Sequence, residues 1–228
     1  MKLVLLHSPL VGPGTWRYLA PALRARGFDI AVADFAAAMA GSGPYYPRLV
    51  QTVCACLERD VPAILVVHSG AGSLVPAVAA SGRVSGAIFV DALMPHPGRS
   101  WFETVPQSLK SRLEDLARDG RMPPWQRWWP DGAIRALFGD ETTYAQFVSE
   151  LKEIPLVYLE EPAPDIALGE KFAAAYLQLS PGNAAEASAA ERLGWPVKRL
   201  ARHHLALLTH PEEVADEISD LVRSSESG

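Results

Sequence analysis

Four apolar runs of strand length punctuate the first 90 residues, at 2–6, 29–33, 63–67 and 85–90. They are continuous, not alternating, so each is expected to lie buried on both faces, as in a parallel sheet covered by helices. Helical patterns fill the intervals. One is expected over 16–26, stopped by Gly27; another over 47–58 sets Leu49, Val50, Val53 and Leu57 on one face; a third spans 72–80. The loop 8–14 is rich in Gly and Pro, and turn residues gather again at 41–44.

The rhythm breaks after Asp91. The segment 92–170 carries prolines at 95, 97, 106, 123, 124, 130, 155, 162 and 164, and shows helical patterns only over 107–118 and 142–151. Regularity returns with a strand at 174–179, a helix at 184–193 and a short strand at 196–200. A last helix follows Pro211, where Glu212 and Glu213 suit the positive end of the helix dipole. The expected architecture is α/β: a mostly parallel six-stranded sheet with helices on both faces, formed by 1–91 and 171–228. A helical cap, 92–170, is inserted after the fourth strand. No internal repeat is present.

Composition narrows the classes of function. The 228 residues, 49% of them hydrophobic, suffice for a sizeable core. Net charge is −5, and basic residues fall in scattered pairs such as Arg24/Arg26 and Lys198/Arg199, so nucleic acid is not an expected partner. Cys54 and Cys56 are too few for a disulfide framework or a zinc site, and no metal is expected. No apolar run reaches the roughly 18 residues of a membrane span, and no signal-cleavage pattern is seen. The expectation is therefore a cytoplasmic protein without a membrane partner. Trp101, Trp125, Trp128 and Trp129, four of the six tryptophans, crowd into the insertion.

The chemistry gathers in three places. The segment 63–72 runs from strand to helix through His68, Ser69 and Gly70, which would present Ser69 on a sharp turn. Such a turn needs small neighbours, because strand and helix approach closely and the Ser backbone is strained. Gly70, Ala71 and Gly72 follow Ser69, although Val67 stands two before it. Gly70 and Gly72, with Asp91 about 20 residues on, also imitate a dinucleotide fingerprint, but Val75 fills the third glycine position. Toward the C-terminus, His203 and His204 precede an apolar run, then Pro211 and two glutamates. After the first strand come His7, Ser8, Pro9, Leu10, Gly12, Gly14 and Trp16.

Taken together these segments resemble the α/β-hydrolase superfamily, nearest its small esterase and hydroxynitrile-lyase-like branch. The resemblance covers nearly the whole chain. It implies an α/β-hydrolase fold with Ser69 as nucleophile, His204 as general base and no cofactor. The Gly70 N–H would hold the oxyanion together with a donor from the opening loop. The family's donor position there falls on Pro9, which has no N–H, so Leu10 or its neighbour is expected to serve. The acid has several candidates: Asp91 at the tip of the fourth strand, Asn183 or Glu186 after the fifth, then Glu160, Glu161 and Asp165. Pro9, His68, Trp101, Trp125, Trp128 and Trp129 are expected around a small apolar substrate. The expected activity is hydrolysis of a small or medium apolar ester, lactone or related acyl compound. A lyase, cyclase or isomerase using His204 as a proton-transfer base is the alternative, and a non-catalytic ligand-binding member of the fold is a third reading.

Overall fold

Side chains alternate across a strand, so the two faces of a sheet collect separate cores. Val4, Leu6, Leu65, Val67, Phe89 and Tyr176 pack on one face, and Leu3, Leu5, Ile64, Val66, Val90 and Leu177 on the other. The computed structural model describes residues 1–226. Its main sheet comprises Lys2–Leu6, Asp29–Ala33, Ala63–His68, Val84–Val90, Ala173–Gln178 and Val197–Arg199. In space the order is second, first, third, fourth, fifth, sixth, and every pairing is parallel. All six residues of the third strand are buried, as its unbroken apolar run requires.

The chain steps outward from first to second strand, then returns to lay the third on the other side of the first. In open parallel sheets, ligands gather at such a switch point, outside the C-terminal strand ends. The loop after the first strand and the turn at Ser69 both open there.

Two expected helices are divided. The first splits into a 3₁₀ turn, Pro13–Trp16, and an α-helix, Leu19–Ala25. The helix after Ser69 begins as a 3₁₀ turn, Ser69–Leu74, and becomes α-helical only over Val75–Ala79, where Pro76 suits a helix start. A single turn at Ala36–Met39 was not expected, because four residues carry no readable period.

Between the fourth and fifth strands the chain forms helices Gln107–Leu116, Glu141–Glu150 and Leu156–Glu160, and pairs Arg121–Met122 antiparallel with Ile154–Pro155. The first two helices match the expected periodicity; the third is too short to show one. Asp140 caps Glu141–Glu150 by accepting the Thr143 N–H at 2.8 Å. Phe102, Leu113, Met122, Trp128 and Tyr158 join the core on one sheet face. Ile134, Phe138, Phe147 and Leu151 pack against Leu205 and Leu208 of the C-terminal loop. Among the described residues no helix is long and apolar enough to cross a membrane.

Gly72 shows how closely strand, turn and helix are pressed together. A β-carbon there would stand 1.9 Å from the Leu93 carbonyl oxygen, a backbone atom that cannot swing aside. Gly72→Ala is expected to cost more than about 3 kcal/mol in urea denaturation. Gly139→Ala, which meets nothing within 4 Å, is the control and should stay within about 0.5 kcal/mol.

Candidate active site

Ser69 stands at the end of the third strand with φ of +56°, a region non-glycine residues rarely occupy. Neighbouring bonds hold it there. The Leu93 N–H donates to the Ser69 carbonyl at 3.0 Å, and the Ser73 hydroxyl donates to the Gly70 carbonyl at 3.0 Å. Ser69 lines the central cavity.

Asp91 follows the fourth strand, also at positive φ (+45°), with none of its surface exposed. Five donors converge on its carboxylate. Oδ1 accepts the N–H groups of Leu179 and Ser180 at 2.8 and 3.0 Å. Oδ2 accepts the Ser180 hydroxyl at 2.6 Å, the Asn183 amide at 2.7 Å and His204 Nδ1 at 2.7 Å. Burial by itself would push this carboxyl up. The hydrogen bond and charge of His204, with the Ser180 and Leu179 donors, outweigh it and hold the pKa at about 2. An ionised carboxylate only accepts, so Nδ1 of His204 carries the proton of this bond, and in the neutral ring the lone pair is on Nε2.

The other acid candidates are engaged elsewhere. Asn183 serves Asp91 and lies 3.5 Å from His204 Nδ1. Glu186 accepts the Met94 N–H at 2.8 Å. Glu161 accepts the N–H groups of Tyr45 and Tyr46 at 2.8 and 2.9 Å, at the start of the helix Tyr46–Ala55. Asp165 lies beside the Gly98 turn, and Glu160 is exposed.

Two expected substrate contacts are corrected. His68 is buried behind the site and does not line the cavity. Strand alternation turns it to the face of Val66, where Trp16 meets it edge-on at 6.2 Å. Its Nε2 donates to the His204 carbonyl at 2.9 Å, and its ring lies 4.5 Å from the His204 ring. Pro9 faces a neighbouring cavity that Phe35, Met39 and Glu150 also border. A turn closed by the Val11 N–H on the Ser8 carbonyl (3.0 Å) sends Ser8 to the central cavity instead, while Leu10 borders both. His7 fixes that turn from below: Nδ1 donates to the Ser8 carbonyl at 2.8 Å, while Nε2 accepts the Phe35 N–H at 3.3 Å.

The central cavity measures about 440 Å³. Ser8, Leu10, Ser69, Gly70, Asn183 and His204 form one side of its wall, and Trp101, Trp125, Trp128 and Trp129 line it from the insertion. The Trp125 ring lies 6.2 Å from that of His204. Sequence reasoning missed Ser8, Tyr46, Leu109 and Leu113 in this lining. The spacing of Leu109 and Leu113, four apart on one helix, was a usable signal. Among the described residues no group of three or more His, Cys, Asp or Glu could hold a metal ion.

The sequence matches no family model, and no curated protein matches it. Solved structures do. An extracellular α/β-hydrolase from a Paenibacillus species, described as sharing structural and functional homology with tobacco salicylic acid binding protein 2, is 21% identical; the match covers 97% of this chain and 98% of that one, with TM-score 0.75. A pyrethroid hydrolase from Sphingobium faniae is 18% identical over 100% and 99% of the two chains, with TM-score 0.72. Tomato methylketone synthase I, in a complex with β-ketoheptanoate, is 15% identical over 98% of each chain, with TM-score 0.71. The fold is that of the α/β-hydrolases.

Two buried histidines contribute to the acid response. Burial pushes His7 down to about 4, and burial with the neighbouring His204 charge pushes His68 down to about 3, both from an ordinary 6.5. Below pH 6.5 the unfolded chain therefore takes up protons that the native chain refuses, and stability falls as pH falls. The urea midpoint should be level above about pH 7 and decline steadily from pH 6.5 toward 4. A level profile through that window would contradict two buried neutral imidazoles.

Proposed function

We propose that this chain is a serine hydrolase, needing no cofactor, that cleaves a small or medium apolar ester, lactone or related acyl compound. The observation that carries this reading is the 2.7 Å contact between His204 Nδ1 and the buried Asp91, in a cavity that Ser69 and His204 both line. Ser69 Oγ attacks the carbonyl carbon while Nε2 of His204 takes its proton. The Nδ1–H stays on Asp91, which stabilises the imidazolium. The Gly70 N–H and a donor from the opening loop hold the oxyanion. Collapse expels the alcohol, which recovers the proton from His204, and water then attacks the acyl-enzyme by the same path.

In this reading the segment 92–170 is the cap. Its tryptophans supply apolar contact and exclude water, which strengthens each polar interaction beneath them. An apolar pocket discriminates only about 10–200-fold per methylene, so the substrate is defined as a class. The pyrethroid hydrolase of the same fold supports ester chemistry.

Pro9 favours a second reading, because it removes an N–H from the oxyanion loop. A lyase, cyclase or isomerase would use His204 as proton-transfer base and Ser69 to orient the substrate. The methylketone synthase among the structural neighbours supports keeping it.

Ser69→Ala is expected to abolish hydrolysis of activated esters and labelling by a serine-directed phosphonate. Asp91→Asn, with folding checked by circular dichroism, should lower kcat by roughly 10⁴-fold, since an amide stabilises the imidazolium poorly. Turnover in an unlabelled wild type, with no water consumed, would select the proton-transfer reading instead.

A further inference from the structure

Ser8 is a hydroxyl residue with almost no exposed surface, on the wall of the cavity that holds Ser69, Gly70 and His204. Its Oγ lies 3.1 Å from the point where a β-carbon on Gly70 would stand, so it adjoins the residue that follows the nucleophile. That oxygen accepts the Leu10 N–H at 3.3 Å. No acceptor takes the hydroxyl's own proton among the described residues, so it remains available to the cavity. Pro9, next in the chain, contributes no N–H, and the Leu10 N–H is donated to Ser8 Oγ.

We infer that the Ser8 hydroxyl is the second oxyanion donor, standing in for the backbone N–H that Pro9 lacks. This rests on the hydrolase reading and specifies how its oxyanion is held. Leu10 then acts one step removed: its N–H polarises the Ser8 oxygen, which makes the O–H a stronger donor, as successive bonds in a chain do. The arrangement is held in place rather than assembled on binding. His7 pins the Ser8 carbonyl, and the Val11 N–H closes the same turn. A hydroxyl positioned in advance beside Gly70 needs no reorganisation when charge develops on the carbonyl oxygen, which is the condition for such a donor to favour the transition state over the ground state.

The test compares Ser8→Ala and Ser8→Thr with wild type, on an activated ester and on a trifluoromethyl ketone whose serine adduct carries an oxyanion. Ser8→Ala should lower kcat on the order of 100-fold and weaken the ketone to a similar extent, with KM changed less than about threefold. Ser8→Thr, which keeps the donor, should stay within about tenfold of wild type. If alanine does not fold, Ser8→Cys, nearly isosteric but a weaker donor, replaces it with the same expectation. Ketone affinity and kcat that survive Ser8→Ala within about threefold would overturn the inference. Phosphonate labelling of wild-type Ser69 separates the two levels. If wild type is labelled and Ser8→Ala is unimpaired, only the donor assignment falls; if wild type is not labelled, the hydrolase reading falls and takes this inference with it.

Discussion

A carboxylate withdrawn wholly from water costs several kcal/mol unless its charge is answered where it sits, and Asp91 has no exposed surface. The donors that answer it come from two separate parts of the chain. Leu179, Ser180 and Asn183 follow the fifth strand, His204 follows the sixth, and Asp91 itself ends the fourth. The bonds that make the charge tolerable therefore fasten three strand ends together. They also choose the His204 tautomer and leave its Nε2 free. The loops and the His204 ring are held by the same five contacts, so removing the charge would loosen both.

Strain is concentrated beside that carboxylate. Ser69 and Asp91 end adjacent parallel strands, and both sit at positive φ, a conformation that costs of order 1–3 kcal/mol each. Surrounding bonds compensate: the Asp91 N–H reaches the Leu177 carbonyl at 2.8 Å, and the Leu93 N–H reaches the Ser69 carbonyl at 3.0 Å. Leu93 also supplies the carbonyl that leaves no room for a side chain at Gly72. The turn at Ser69 and the turn after Asp91 are thus packed against each other, and neither can relax without moving the other.

Most of this was legible in the chain. Continuous apolar runs predicted a parallel sheet, small residues after Ser69 predicted the sharp turn, and Asp91 closed a strand next to it. Which acid candidate meets His204 required the structure, because six carboxylates or amides lay within reach along the sequence and only loop geometry brings Asp91 onto His204. Pro9 and His68 were misplaced for a common reason. Both adjoin residues that do face the cavity, Ser8 and Ser69, and neighbouring side chains on a strand or tight turn point apart. Pairings of only two residues, such as Arg121–Met122 with Ile154–Pro155, leave no periodic trace at all.

In the proposed mechanism Ser69 forms a covalent bond to the acyl group, and acid-quenched intact-mass spectrometry during turnover of a slow apolar ester reads that bond directly. The expected result is a population heavier by one acyl group, with peptide mapping locating it on Ser69 and a burst of released alcohol matching one equivalent of enzyme. Steady product formation with no acyl adduct on Ser69, under conditions where deacylation limits the rate, would contradict it.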